Sequence, residues 1–484
     1  MTTPPTLVVD LDGTLLRSDL LLESFWSALA RRWSTAFSAP LALLQGRGAL
    51  KAHLAAHADI DVARLPYDDG VLEHLRAWRA QGGRCALVTA SDAGLAGRVA
   101  DHLGLFDEVH GSTPQRNLKG ARKAAFLHER FGVGGYVYAG DSPADLPVWA
   151  GAAGAVTVTP DAGLRRRVEG LMAEGTTPDG SARTVTHLPA ARPAAKAHLR
   201  ALRPHQWLKN LLVFLPILTS QQFDPQTLAQ ALVAFVAFSL VASGIYLLND
   251  LLDLDADRAH PRKRARPLAS GALPLLRGSL MLPLLLIVGL ACAATLGGVF
   301  VLVLVTYLVV TTAYSLNLKR RVVIDICVLA ALYTLRVLAG GAATGIMPSV
   351  WLLAFSIFLF LALAAIKRQA ELVDGAARGA EAAHGRGYRV EDIPVVMALA
   401  MSAGMVSVLV LVLYLNSPEV QVLYPMPEAL WGIGLVLLYW ITRIVMLTHR
   451  GWMHDDPVIF AVRDRISQLC GIAIIGFILL ASLG

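Results

Sequence analysis

Cysteine is scarce in this chain and charge is thin. The 484 residues include four cysteines, Cys85, Cys292, Cys327 and Cys470, scattered and without a CxxC pair. Neither a disulfide framework nor a zinc site is supported. Charged residues make up 16% against 55% hydrophobic, too apolar for a soluble protein of this size and best read as the mean of a soluble part and a membrane part. Met1–Asp10 lacks the basic start of a signal peptide, and its run Leu7–Val9 reads as a buried strand. The N-terminal part is therefore expected to stay in the compartment where it is made. The formal charge of +7 sits in loops between apolar runs, which is a topology signal. No nucleic-acid partner is expected, and nothing in the sequence specifies an oligomer.

Apolar patterning then divides the chain. Over residues 5–160 the short apolar runs Leu7–Val9, Arg84–Thr89, Tyr136–Ala139 and Ala155–Val158 alternate with helical segments. That order predicts a parallel sheet with helices on both faces, an α/β Rossmann-like domain over 1–174. Residues 20–66 form a helical insertion with Leu22, Phe25, Trp26 and Leu29 on one face. It is expected to be a small cap over the carboxyl ends of the strands, where open α/β sheets place ligands. Residues 175–198, rich in Ala, Pro, Thr and Arg, read as a linker. Residues 199–484 are expected to form an all-α polytopic bundle. Its nine transmembrane helices fall roughly at 207–220, 227–248, 278–296, 298–316, 323–345, 349–366, 394–415, 428–448 and 467–483, each near the ~20 residues a bilayer requires.

The loops between these runs differ sharply in charge. One set holds Arg258, Arg262, Lys263, Arg264, Arg266, Lys319, Arg320, Arg321, Lys367, Arg368, Arg378, Arg386, Arg389, Arg450, Arg463 and Arg465. The other set (221–226, 297, 346–348 and 416–427) holds no Lys or Arg. The positive-inside rule puts the first set, and with it the soluble domain, on the cytoplasmic side of the cell (inner) membrane.

Two motifs carry chemistry. In the first, Asp10-Leu11-Asp12-Gly13-Thr14 follows a strand directly, and Gly13 permits a sharp turn there. A carboxylate so placed can attack phosphorus, and a second one two residues on can protonate a leaving alcohol and then activate water. A plain Asp-Gly turn would look the same locally. The motif has company, in order: Thr89 in the strand CALVT, Lys119 and Lys123 at a helix start, and Asp141 and Asp145 in GDSPAD. This set resembles the haloacid dehalogenase (HAD) superfamily over about residues 5–160. The resemblance implies Asp10 as nucleophile, Asp12 as acid/base, Thr89 as phosphoryl ligand, and Mg²⁺ held by Asp10, Asp141 and Asp145, with Asp12 counted in the metal set. Lys119 fits the lysine position better by its distance from the next strand, and Lys123 stays open.

The second motif is Asn249-Asp250-Leu251-Leu252-Asp253-Leu254-Asp255-Ala256-Asp257. Its spacing i, i+3, i+7 puts Asp250, Asp253 and Asp257 along one helix face, where they repel unless a cation sits among them. Oxygen ligands suit Mg²⁺, which binds substrate phosphates, and Arg262, Lys263 and Arg266 follow at once. Over about 198–484 this resembles the UbiA superfamily of intramembrane prenyltransferases. The loop after the expected sixth helix departs from the acidic second cluster of many aromatic prenyltransferases: it opens Lys367-Arg368-Gln369-Ala370-Glu371 and continues through Arg386 and Tyr388. With Lys209 at the first helix, the whole looks like the decaprenyl-phosphate 5-phosphoribosyltransferase branch. The substrate-binding set so implied is Lys209, Asn249, Arg262, Lys263, Arg266, Tyr314, Lys319, Asp325, Arg336, Lys367, Arg368, Glu371, Arg386, Tyr388, His454, Asp455 and Asp456. Positive-inside anchoring is the plainer use of Lys367 and Arg368.

The resemblance implies phosphoribosyl diphosphate (PRPP) as donor, a polyprenyl phosphate as acceptor and Mg²⁺ at both sites. The phosphatase half would then dephosphorylate the lipid-linked phosphoribose, giving a precursor of cell-wall arabinan. The rival readings are prenyl transfer to an aromatic or quinone precursor beside an independent phosphatase, a membrane transporter with a regulatory HAD-like domain, and a catalytically idle HAD domain.

Overall fold

The short apolar runs become strands because both of their faces are covered. The computed structural model describes residues 5–113, 115–177, 180–190, 195–379, 386–453 and 456–483. Its strands are β1 (Thr6–Val9), β2 (Cys85–Asp92), β3 (Glu108–Ser112), β4 (Tyr136–Gly140), β5 (Gly154–Thr157) and β6 (Thr184–His187). They form one sheet in the order β3-β2-β1-β4-β5-β6, with every neighbouring pair parallel. Alternate side chains leave opposite faces of a strand. Leu7 and Val9 accordingly join one core with Leu87, Val137 and Ala139, while Val8 joins another with Ala86, Val88, Tyr136 and Tyr138. Sheets buried on both faces read as near-continuous apolar runs, which is why these strands were legible.

β3 and β6 were not expected. Both are polar, and β6 alternates exposed and half-buried residues, so neither makes an apolar run. The stretch 175–198 is thus not only a linker: Thr184–His187 extends the sheet, pairing from Gly154↔Thr184 to Thr157↔His187.

The strand order reverses at β1, which has β2 on one side and β4 on the other. A crevice opens at such a switch point beyond the carboxyl ends of the strands, and Asp10 follows β1 there. The insertion after β1 is helical as expected: α1 (Leu20–Arg31), α2 (Thr35–Leu44) and α3 (Arg47–His57). Asp19 caps α1 by accepting from the Leu22 N–H at 3.1 Å. The buried face of α1 is Leu20, Glu23, Ser24, Trp26 and Ala28. Of the expected face, Trp26 is buried while Leu22, Phe25 and Leu29 are half-buried.

Eight helices among the described residues are long and apolar enough to cross a membrane. They are Pro225–Leu252, Leu275–Ala294, Gly298–Leu316, Ile324–Thr344, Val350–Ala377, Val390–Leu415, Pro427–His449 and Arg465–Leu483. Outward residues such as Leu280, Leu284, Ile287, Val299, Leu302 and Val309 are exposed. Each would cost about 25 cal/mol per Å² of apolar surface in water, a cost that lipid removes.

The first expected span, 207–220, is not one continuous α-helix. Pro204–Phe214 is a 3₁₀ helix, followed by the six-residue helix Leu215–Ser220. Pro216 lacks the N–H that a continuous α-helix would use, and left-handed residues bracket the segment at Arg203 (φ 52) and Gln221 (φ 56).

The chain forms two compact units, Met1–Leu202 with Tyr246–Leu282, and Arg203–Ile245 with Pro283–Gly484. The first therefore joins the sheet domain to the Asp-rich segment, and the second holds most of the membrane bundle.

Candidate functional site

At the switch point the chain turns hard after Asp10. Gly13 has φ +76, and a Cβ there would run into the Asp141 carboxylate. Only glycine lets these two motifs approach so closely. Ligand oxygens of Asp10, Asp141 and Asp145 all lie within 4.8 Å of one another. Lys123, 2% exposed, reaches Asp10 Oδ1 with Nζ at 2.9 Å. It also donates to Tyr138 Oη at 2.9 Å, and Tyr138 donates in turn to Asp145 Oδ1 at 2.9 Å. Lys119 is exposed. The preference for Lys119 drawn from sequence distance is therefore corrected: one helical turn further on, Lys123 points inward on the helix Ala121–Phe131, whose buried face is Lys123, Ala124 and Leu127.

Asp12 lies outside the trio. Its Oδ1 accepts the Leu20 N–H at 2.7 Å and its Oδ2 accepts the Ser91 hydroxyl at 2.5 Å. Burial, and then the charge of Asp19, push its carboxyl up to about 7, where it can hold a proton near neutrality as a general acid must. Burial raises Asp10 while Lys123 opposes the rise. Burial, then Asp10 and Asp145, push Asp141 up to about 8. Three carboxylates in mutual repulsion with one lysine fit a divalent cation, which would relieve that repulsion. Thr89 is fully buried and its Oγ1 accepts the Ser91 N–H at 3.0 Å.

The Asp-rich segment breaks at Asp253, between the helices Pro225–Leu252 and Leu254–Ala259. Asp250 and Asp257, both buried, share Arg266: its Nη1 lies 3.0 Å from Asp250 Oδ1 and 2.5 Å from Asp257 Oδ2. Burial raises the Asp257 carboxyl and Arg266 opposes it. Among the described residues, Asp250, Asp253 and Asp257 do not converge as the first trio does. A guanidinium supplies the cation that the crowded carboxylates require. Arg262 and Lys263 are exposed in the following loop, and half-buried Asn249 accepts the Asp253 N–H on its carbonyl at 2.9 Å.

Two polar clusters lie in the second unit. In one, the fully buried Arg368 pairs with Asp325 at 2.5 Å and with Glu371. Arg386 lies 3.2 Å from Glu371 and donates to Tyr314 Oη at 2.8 Å, and Tyr388 donates to Asp325 Oδ1 at 2.7 Å. Burial and that hydrogen bond push the Tyr388 phenol above its usual range. In the other, Asp456 Oδ2 receives Lys209 at 2.6 Å and Lys367 at 3.1 Å. Against the effect of burial, these two lysines hold Asp456 well below the usual carboxylate range.

Arg336 faces inward. It donates to Asn210 Oδ1 at 2.9 Å and to Tyr307 Oη at 3.0 Å, with its guanidinium 4.9–5.4 Å from the ring centres of Tyr307, Phe238 and Tyr333. Lys319 is half-buried in the turn Leu318–Arg320. His454 and Asp455 lie outside the described residues. Sequence reasoning gave no site role to Ser91, Tyr138 or Asn210. Tyr138 alternates with Tyr136 in a strand ending at Gly140, two residues from the crevice, a faint but usable signal.

A sheet with a carboxylate trio at its switch point, joined to eight apolar helices with buried ion clusters, defines a multi-pass membrane protein built for phosphate chemistry. The comparisons agree. Residues 7–149 match the haloacid dehalogenase-like hydrolase family, and residues 211–460 match the UbiA prenyltransferase family. The chain belongs to the UbiA prenyltransferase family and carries an N-terminal HAD-like hydrolase domain.

Among its relatives, an uncharacterized protein of Sinorhizobium fredii is 37% identical over 96% of this chain and 89% of that protein. The nodulation protein NoeC of Azorhizobium caulinodans is 39% identical over 58% of this chain and 92% of that protein. The decaprenyl-phosphate phosphoribosyltransferase of Mycobacterium tuberculosis is 41% identical over 36% of this chain and 59% of that protein.

Proposed function

We propose that this chain is a bifunctional enzyme that transfers 5-phosphoribose from PRPP to a polyprenyl phosphate and then removes the 5-phosphate. The observation that carries the reading is the presence on one chain of a hydrolase-type site, Asp10 against Lys123, and a segment 41% identical to a decaprenyl-phosphate phosphoribosyltransferase.

In the transfer, the bond between the anomeric carbon and the diphosphate oxygen breaks, and a phosphate oxygen of the lipid bonds to that carbon. The acceptor is already anionic, so orientation suffices without a strong base. Arg266, Lys209, Lys367 and Arg386 are the cations proposed to hold the two phosphate-bearing substrates, and the buried Arg368 is proposed to fix Asp325 and Glu371. Diphosphate leaves with the bonding electron pair.

In the second step, Asp10 attacks the 5-phosphate while Lys123 offsets its charge. Asp12 gives its proton to the departing ribose oxygen, then takes one from the water that frees inorganic phosphate. Asp10, Asp141 and Asp145 in one site and Asp250, Asp253 and Asp257 in the other would hold Mg²⁺, which would supply positive charge to offset that of the phosphoryl groups. Carriage of both activities on one chain raises the effective concentration of the intermediate at the second site. Both sites are proposed to face the cytoplasm, on the inner membrane.

The test is a reconstituted assay with labelled PRPP and polyprenyl phosphate. Lipid-extractable ribose with release of diphosphate is expected. No such product, with a prenyl diphosphate consumed onto an aromatic acceptor instead, overturns the proposal.

A further inference from the structure

The cap of the hydrolase domain grips the Asp-rich segment. Glu23 on α1, 2% exposed, takes Arg258 in a two-pronged ion pair, with Oε1 2.6 Å from Nη2 and Oε2 3.1 Å from Nη1. Ser18 steadies the carboxylate through a 2.5 Å hydrogen bond to Oε1, and Arg258 Nε donates to the Ala269 carbonyl at 3.0 Å. One guanidinium therefore ties the cap to both ends of the loop 258–269. Three residues along α1, Trp26 donates from Nε1 to Ser279 Oγ at 2.9 Å. At Gly271 (φ +73) a Cβ would lie 2.8 Å from Arg17 Cβ and 2.9 Å from the Arg17 carbonyl, so the loop backbone rests directly on the chain leading into the cap.

Arg258 is the immediate neighbour of Asp257. The short helix Leu254–Ala259 thus presents Asp257 to Asp250 and Arg266, and Arg258 to Glu23. A buried ion pair adds little net stability, but removing one partner strands a buried charge. Arg258 without Glu23 would turn toward the nearest carboxylates, beginning with Asp255, 4.0 Å away, and the helix would lose its orientation.

We propose that Glu23 is a positioning residue for the transferase: the hydrolase cap, through Arg258, holds the Asp-rich segment in register for the diphosphate. The inference rests on the assignment of Asp250, Asp253 and Asp257 to that substrate.

The test uses the full chain in lipid nanodiscs. In Glu23→Gln, amide exchange over residues 254–272 should rise roughly tenfold, as expected for a local unit that has lost its anchor. KM for PRPP should rise by a similar factor, with a smaller change in kcat. Arg31→Gln, on the same helix but in a solvent-exposed pair with Asp59, should change neither. Glu23→Arg combined with Arg258→Glu should restore protection. If Glu23→Gln does not fold, Arg258→Lys keeps the charge, loses the two-pronged geometry and should raise exchange over the same residues. Wild-type exchange in the variants, or raised exchange with unchanged KM, overturns the proposal. Absence of ribose transfer by the wild-type chain is a separate result: it sinks the substrate assignment, and the positioning role with it.

Discussion

Gly13 and Lys123 show how far one atom decides the hydrolase site. Gly13→Ala forces a Cβ into the Asp141 carboxylate at a backbone angle that L-residues avoid. The expected result is a loss of at least about 100-fold in kcat/KM on a soluble phosphate monoester, as for other displaced transition-state contacts. Lys123→Met should cost a similar factor, because Asp10 then meets phosphate without a neutralising charge. Lys119→Met should cost little, since Lys119 is exposed. A steady-state series on the three variants decides between the lysines; equal losses at both would contradict the geometry. Chelation should abolish phosphate release and added Mg²⁺ restore it, because Asp10, Asp141 and Asp145 repel without a cation. Unchanged turnover in excess chelator would contradict that assignment.

At the scale of elements, what was legible and what was not have physical causes. β1, β2, β4 and β5 announced themselves because both faces of the sheet are buried. β6 did not, because an edge strand such as Thr184–His187 is held by its ladder with β5 and carries no apolar run. The stretch 207–220 reads as a span because its apolar content is real, whereas its winding is broken by Pro204, Pro216 and two left-handed residues. Its anchor is also non-local: Asn210 meets Arg336, which is 126 positions away in sequence.

Motif order singled out Asp10, Asp141 and Asp145, which the fold brings together beyond the carboxyl ends of β1 and β4. Nothing local revealed that Glu23 faces Arg258, a pairing 235 residues apart. Arg336→Ala should leave Asn210 and Tyr307 without their buried partner and destabilise the bundle by about 3 kcal/mol. Thermal unfolding in detergent, compared with the exposed substitution Arg378→Ala, measures this. Equal melting temperatures would contradict a structural anchor.

For the molecule as a whole, charge asymmetry makes a topological prediction. A cysteine placed at Met347, which is 89% exposed, should react with an impermeant thiol reagent in intact cells. One at Arg378 should react only after the membrane is opened. The reverse pattern would invert the chain and separate the hydrolase domain from any cytoplasmic substrate.

The linkage of the two activities is tested most directly by mass spectrometry of the lipid product made from PRPP and polyprenyl phosphate by the wild-type chain and by Asp10→Asn. The wild type should yield polyprenyl-phosphoryl-ribose with inorganic phosphate. The variant should accumulate the same lipid carrying one more phosphate group. Identical products from the two proteins would contradict a hydrolase domain that acts on the product of the transferase.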